Sequence, residues 1–420
     1  MNGVIEEWRD CEACGTRVPV HDLVRTWCDA CGWNLSDPAP SRTVIERTVD
    51  ALGALHGAWL LEQVIAAPET QLRPRLRVST VLASALSLLI MAANLLVALA
   101  GLYLLVRGWP NVMLVALGLV LMLAGWFLRP RLDPLPPDCL ERSAFPNLFS
   151  MVDGIAGQLS LSPIEHVRVD HQFNASMGQA GLARRPVLTI GLPLWASLTG
   201  QERVALIAHE MAHRVNRDPA RGTVTGWGLS ALDRWIYLLD PAGRAPQTLA
   251  EIAIHMAMRL LGAAAGGLRG LLARLLYLDS QRAEYLADHL AAKVAGPVAT
   301  TKLLGKLGLG RNLQAVAERA YYGGDTDGRS VIDAFRGFVE TVPEREMERI
   351  RRADATEHAR IDASHPPTAA RVTFIRSRHF ELPMVILSDT LSRAIDDELQ
   401  PLRERFSMKL MDGFIERPGS

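Results

Sequence analysis

From 78 to 106 the chain carries no charged residue. As a helix, a run of that length crosses a hydrocarbon core of about 30 Å even when tilted. Arg107, Gly108, Trp109, Pro110 and Asn111 follow, a turn-forming stretch with an interfacial aromatic. A second apolar run then covers 112–128, at the lower end of spanning length. Together the two runs predict a transmembrane helical hairpin. The alternative is a buried helix pair in a soluble core, against which the length of the first run argues. Arg73, Arg75 and Arg77 precede the first run and Arg129 and Arg131 follow the second, while only Arg107 lies in the connection. By the positive-inside rule both large flanks are expected in the cytoplasm, giving a multi-pass protein of the cell membrane with both termini cytoplasmic.

The hairpin divides the rest of the chain. Residues 1–40 form a small unit ending in Ser36, Asp37, Pro38, Ala39 and Pro40, a turn and linker signal; 41–77 read as a helical linker, 78–128 as the hairpin, and 129–420 as one large domain entered through Pro130, Pro134, Pro136 and Pro137. Within that domain 165–170 and 187–192 look like short strands, and most of the remainder reads as helix. The first ten residues hold Glu6, Glu7, Arg9 and Asp10 and no apolar run, so no cleavable secretion signal is expected. With 45 basic and 45 acidic residues the net charge is zero, so no global field favours nucleic acid, and none is expected as a partner. Membrane lipid is.

Two Cys-x-x-Cys knuckles, Cys11 with Cys14 and Cys28 with Cys31, are separated by residues 15–27, and each is followed by a glycine, Gly15 or Gly32. The spacing predicts a closed, non-catalytic four-thiolate zinc and resembles a zinc ribbon. Disulfides are disfavoured on a reducing cytoplasmic side. A unit this small buries little core, so the metal would supply its folding energy, and docking a substrate or a protein partner is its expected use. Cys139 is left over as an ordinary small residue.

Thr199 and Glu202 form a capping-box pattern that starts a helix. The helix runs through His209, Glu210 and His213 and is expected to end near 216–218, because Pro219 follows. Four residues apart, His209 and His213 lie on one face and can converge on a single zinc. Glu210 sits about 100° around the helix, at the edge of that site, where it can take a proton from an attacking water. A catalytic zinc needs a third protein ligand. Asn216 and Pro219 stand where a His-x-x-Gly-x-x-His continuation would need glycine and histidine, and Asp218 would fall on the opposite face. A second helix must therefore supply the donor. Glu284 and Asp288, again four apart, fit: Glu284 as ligand, Asp288 accepting the outer N–H of a ligand histidine.

His209-Glu210-x-x-His213 followed by Asn216, Arg217 and Asp218, then Arg282-x-Glu284-Tyr285-x-Ala287-Asp288, resembles the M48 family of zinc peptidases, the HtpX/Ste24-like group, from about 140 to 376. Asn174-Ala175 resembles the family's substrate-binding edge strand, although Ser176 and Met177 replace the usual aromatic. Ser364-His365-Pro366-Pro367 with Arg371 resembles its late His-Pro motif. The resemblance implies a mainly α fold with a small β-sheet, a gluzincin-like α+β peptidase domain beside the hairpin and the ribbon. It also implies zinc on His209, His213 and Glu284, Glu210 as general base, transition-state support from His365, and substrate contacts at Asn174 and Arg371. Membrane members of the family carry further spans between the two metal motifs. Here 252–278 is apolar but contains His255, Arg259, Arg269 and Arg274 within an arc of about 140°, so an interfacial or core helix is expected rather than a third span.

The expected function is therefore a membrane-anchored zinc endopeptidase with one catalytic and one structural zinc, acting on protein or peptide substrates in membrane or misfolded-protein quality control. The alternative is an inactive membrane scaffold that binds partners through the ribbon.

Overall fold

The computed structural model describes residues 7–20, 24–36, 44–72, 78–131, 133–181, 183–216, 218–240, 248–323, 331–356 and 365–415. Arg73, Arg75 and Arg77, the 37–40 part of the linker signal, Arg217 and Ser364 lie outside these residues. In chain order the elements are strands β1 (Glu7–Asp10) and β2 (Arg17–Val20); helices α1 (Val44–Ala66), α2 (Glu69–Leu72), α3 (Val78–Arg107), α4 (Val112–Leu128) and α5 (Pro146–Gln158); and strands β3 (His166–Asp170), β4 (Ala175–Ala180) and β5 (Arg185–Gly191). Then follow α6 (Leu192–Ser197), α7 (Gly200–Val215), α8 (Asp218–Leu239), α9 (Leu249–Ala295), α10 (Pro297–Leu307), a 3-10 turn (Gly308–Asn312), α11 (Leu313–Tyr322), α12 (Val331–Thr341), α13 (Glu344–Thr356), α14 (Thr368–Arg376) and α15 (Asp389–Ile415). The fold is mainly α with small sheets, as the sequence implies. Two compact units divide it: Met1–Arg73, Pro134–Asn216 and Ala283–Ser420 form one, Pro74–Asp133 and Arg217–Arg282 the other.

In the first unit a three-stranded sheet has the order β3-β5-β4, with β3 parallel and β4 antiparallel to β5. Alternation along the strands buries Val167, Val169, Leu188, Ile190, Ala175 and Met177 in a core shared with α5, α6 and α7. β4 is an edge strand. Its sequence, ASMGQA, lacks the β-branched and aromatic residues that announce β3 and β5, so in the sequence only the family resemblance at Asn174-Ala175 points to a strand there. Glu398 of α15 caps the start of α5, its carboxylate accepting from the amides of Asn147 (2.8 Å) and Leu148 (3.0 Å), so the carboxy-terminal helix is tied to the core.

In the second unit α3 and α4 pack against each other, and α8 packs on α3. The α3–α4 contact is backbone on backbone: a Cβ on Gly118 would meet the Gly101 carbonyl oxygen at 2.9 Å, and one on Gly125 would meet Cβ of Ala98 at 2.6 Å. Small residues at such crossings are the usual means of helix association in lipid. Asn111 starts α4 by accepting from the amides of Met113 and Leu114. Ala83 and Ile90 of α3, Ala231 and Leu232 of α8, and Ala265 and Leu272 of α9 share one apolar cluster. Several polar groups of these helices are paired. Trp235 donates to Asn94 Oδ1 at 2.8 Å, Arg269 meets Asp233, and Ser79 and Thr80 donate to Asp279.

The 252–278 stretch is not a separate element but the first part of α9. Val78–Arg107 and Leu249–Ala295 are both long and apolar enough to cross a membrane, and α4 is a shorter apolar helix. One side of α9 joins the α3–α8 cluster, while Ile254, Leu261 and Leu271 are exposed.

Candidate functional site

Thr199 and Glu202 start α7 as the sequence predicts: the Thr199 amide donates to Glu202 Oε2 at 2.9 Å, and Lys306 holds the same oxygen at 2.7 Å. The helix ends at Val215. Pro219 follows because it sits in the first turn of α8, where its missing N–H costs nothing.

The carboxy-terminal part of α9 is fixed to α7 at both ends. Near the start of α7, Gln201 donates to the carbonyl of Ala295 at 2.8 Å; just past its end, buried Asn216 donates to the carbonyl of Ala283 at 3.1 Å. The two links set the register that brings Glu284 opposite the histidines. In the sequence Asn216 reads as a non-ligand and as part of the family motif; its role as a tether depends on α9 being its neighbour.

His209 Nε2 lies 3.5 Å from Glu284 Oε2, and His213 Nε2 3.6 Å from Glu284 Oε1. One ligand atom from each of the three residues falls within 4.8 Å of the others. In a tetrahedron with bonds of about 2.1 Å, neighbouring ligand atoms stand about 3.4 Å apart, so the set fits one zinc-sized ion. Glu284 is 5% exposed, and its Oε2 is faced by His365 Nδ1 at 2.8 Å, His209 Nε2 at 3.5 Å and the Arg371 guanidinium at 3.7 Å, a buried carboxylate oxygen ringed by nitrogen groups. Electrostatics agree. Burial works against a charged His209, yet the carboxylates of Asp288 and Glu284 outweigh it and push His209 up to about 10. Burial would likewise raise Glu284, but contacts with His209 and Arg371 hold it well below the usual carboxylate range. The pocket thus favours positive charge at its centre.

Around this set, Asp288 Oδ1 is 3.1 Å from His209 Nδ1, the position for holding that ring with Nε2 turned toward Glu284. Asp288 is fully buried and is itself gripped by Arg371, whose Nε and NH2 donate to its two oxygens at 2.8 and 2.7 Å. Burial acts to raise Asp288; the Arg371 guanidinium overcomes it and keeps the carboxylate below its ordinary value. Arg371, expected to touch substrate, is buried with its guanidinium on Asp288 and within 3.7 Å of Glu284 Oε2. Glu210 is only partly covered. Burial, with Glu284 adding, pushes its carboxyl above the ordinary range against the two histidines. His365 is 53% exposed in its side chain and places Nδ1 2.8 Å from Glu284 Oε2, so the late His-Pro motif does reach the site. Asn174 is exposed just before β4, and its carbonyl accepts from the Gly191 amide at 2.8 Å; β4 in turn packs on α7.

The four cysteines form a second cluster. Their sulfurs lie within 4.8 Å of one another, with Cys11 to Cys31 at 3.7 Å and Cys14 to Cys28 at 3.6 Å. All four are free thiols. Zn–S bonds of about 2.3 Å in a tetrahedron place sulfurs about 3.8 Å apart, so this set also fits one zinc. Each knuckle closes on its glycine: the amides of Gly15 and Gly32 donate to the carbonyls of Cys11 and Cys28 at 2.9 Å, with φ of +72° and +73°. A side chain would be strained at either position.

Two histidines one turn apart, a carboxylate from a second helix and a glutamate beside them make up the centre of a metallopeptidase. The comparison with known families gives the same answer: the model of peptidase family M48 matches residues 148–379, and the chain belongs to that family. No solved structure matches it.

Proposed function

We propose that the chain is a membrane-anchored zinc endopeptidase whose catalytic zinc is held by His209, His213 and Glu284. The observation that carries this is the convergence of three metal-binding donors from two helices, one of them a buried carboxylate. When bound, the metal supplies Lewis acidity to water and to the scissile carbonyl. Glu210 takes the proton of the attacking water and returns it to the leaving amine, a task its raised carboxyl suits. His365, exposed beside Glu284, hydrogen-bonds the developing oxyanion. Asp288, with Arg371 behind it, keeps His209 oriented. A substrate backbone adds along the free edge of β4, entering past Asn174.

The cysteines hold a structural zinc. α3 and α4 anchor the chain, and the arginines around them favour cytoplasmic termini. His213 and Glu284 must meet on one side of the bilayer. α9 therefore crosses only if α8 crosses too, as a second hairpin, for which their shared cluster with α3 speaks. Membrane or misfolded proteins are the substrates such an anchor favours.

Glu210→Gln tests the reading: cleavage should fall by about 10²- to 10⁴-fold with the metal content unchanged. Retained cleavage would refute it. No observation favours the inactive scaffold, since every expected ligand is present and two of them converge on the third.

A further inference from the structure

The cysteine unit does not stand apart from the rest of its compact unit. Trp27, the residue before Cys28, is 2% exposed because two guanidinium groups of α13 cover its ring: Arg345 at 4.7 Å and Arg352 at 5.4 Å from the ring centroid. Arg345 also donates to the Trp27 carbonyl at 2.8 Å. Arg349, itself buried and held by Glu346, donates to the Leu35 carbonyl at 2.7 Å. Trp27 and Leu35 bracket the second knuckle. Their carbonyls therefore point where the Cys28–Cys31 turn aims them.

α13 also packs on α10 and α14. Of its thirteen residues, EREMERIRRADAT, the apolar ones reaching the interior are Ile350 and Ala353; its other buried residues are Glu346, Arg349 and Asp354. Charged residues fix a helix only while their partners stay in place. α13 packs on α14, and α14 carries Arg371, the partner of Asp288.

We propose that the metal-held cysteine unit is an intramolecular clamp: by fixing α13, and through it α14 and Arg371, it makes peptidase competence depend on the four-thiolate metal. This rests on the structural zinc proposed above. The Trp27 face is occupied from within, so a partner that took it would compete with α13.

The test uses the full-length protein in lipid nanodiscs and reads zinc content, hydrogen exchange and peptide cleavage. Cys31→Ser should lose one zinc, speed amide exchange across 344–356 and 368–376 at least about tenfold, and reduce cleavage about tenfold. The double variant Arg345→Ala/Arg352→Ala should keep both zincs and show the same faster exchange, which separates release of the clamp from collapse of the cysteine unit. Loss of the thiolate zinc with exchange of 344–356 unchanged would overturn the clamp, as would wild-type protein carrying no metal on its cysteines. If no form cleaves peptide but exchange rises as stated, the clamp is supported and the peptidase reading fails instead.

Discussion

Replacing Arg371 by methionine keeps a long side chain in the core but removes both hydrogen bonds to Asp288. Asp288 is fully buried, and its remaining charged neighbour is His209 at 3.1 Å. Breaking a buried pair from one side typically costs about 3–5 kcal/mol, because the other charge stays behind without compensation. At about 2–4 °C per kcal/mol, the melting temperature should fall by about 6–20 °C. Losing the group that orients a ligand histidine should also weaken zinc binding at His209 about 10- to 100-fold. Thermal unfolding and zinc competition in detergent read the two effects separately. The double variant Arg371→Met/Asp288→Asn removes the stranded charge. It should therefore be more stable than the sum of the single changes predicts, by at least about 1 kcal/mol. An Arg371→Met protein within about 1 kcal/mol of wild type, with unchanged zinc affinity, would refute the role assigned to the pair.

Other perturbations follow from the same geometry. Gln201→Ala leaves the carbonyls of Ala295 and Val385 without their donor and should cost about 1–3 kcal/mol in chemical unfolding, loosening the α7–α9 register. Gly118→Leu forces a side chain into the Gly101 backbone and should separate α3 from α4, seen as loss of a cysteine crosslink engineered between them. If α3 and α8 lie in a bilayer as proposed, Trp235→Phe, which removes the hydrogen bond to Asn94, should cost only about 0.6 kcal/mol in a double-mutant cycle.

Local chemistry was legible in the sequence wherever one segment carried the whole signal. The bounds of α4, the capped start of α7, the facing histidines and the paired knuckles all follow from residues close in the chain. So did Glu284, because its spacing from Asp288 repeats that of the histidines. What depends on distant neighbours was not legible. β4 lacks strand formers and exists because β5 offers it a register. Arg371 resembles a substrate residue until Asp288 is seen against it. The arginines of 252–278 lowered its apparent fit to a membrane, yet Arg269 is paired with Asp233 and the helix is apolar enough to span. The cysteine unit read as an independent module because nothing in a Cys-x-x-Cys pattern says what its tryptophan packs on.

The most direct measurement compares zinc content and cleavage of an unfolded protein for the wild type and Glu284→Ala, the ligand that only the second helix provides. Two zincs per chain with cleavage in the wild type, and one zinc without cleavage in the variant, are expected. A variant that keeps two zincs and still cleaves would contradict a centre built from two helices.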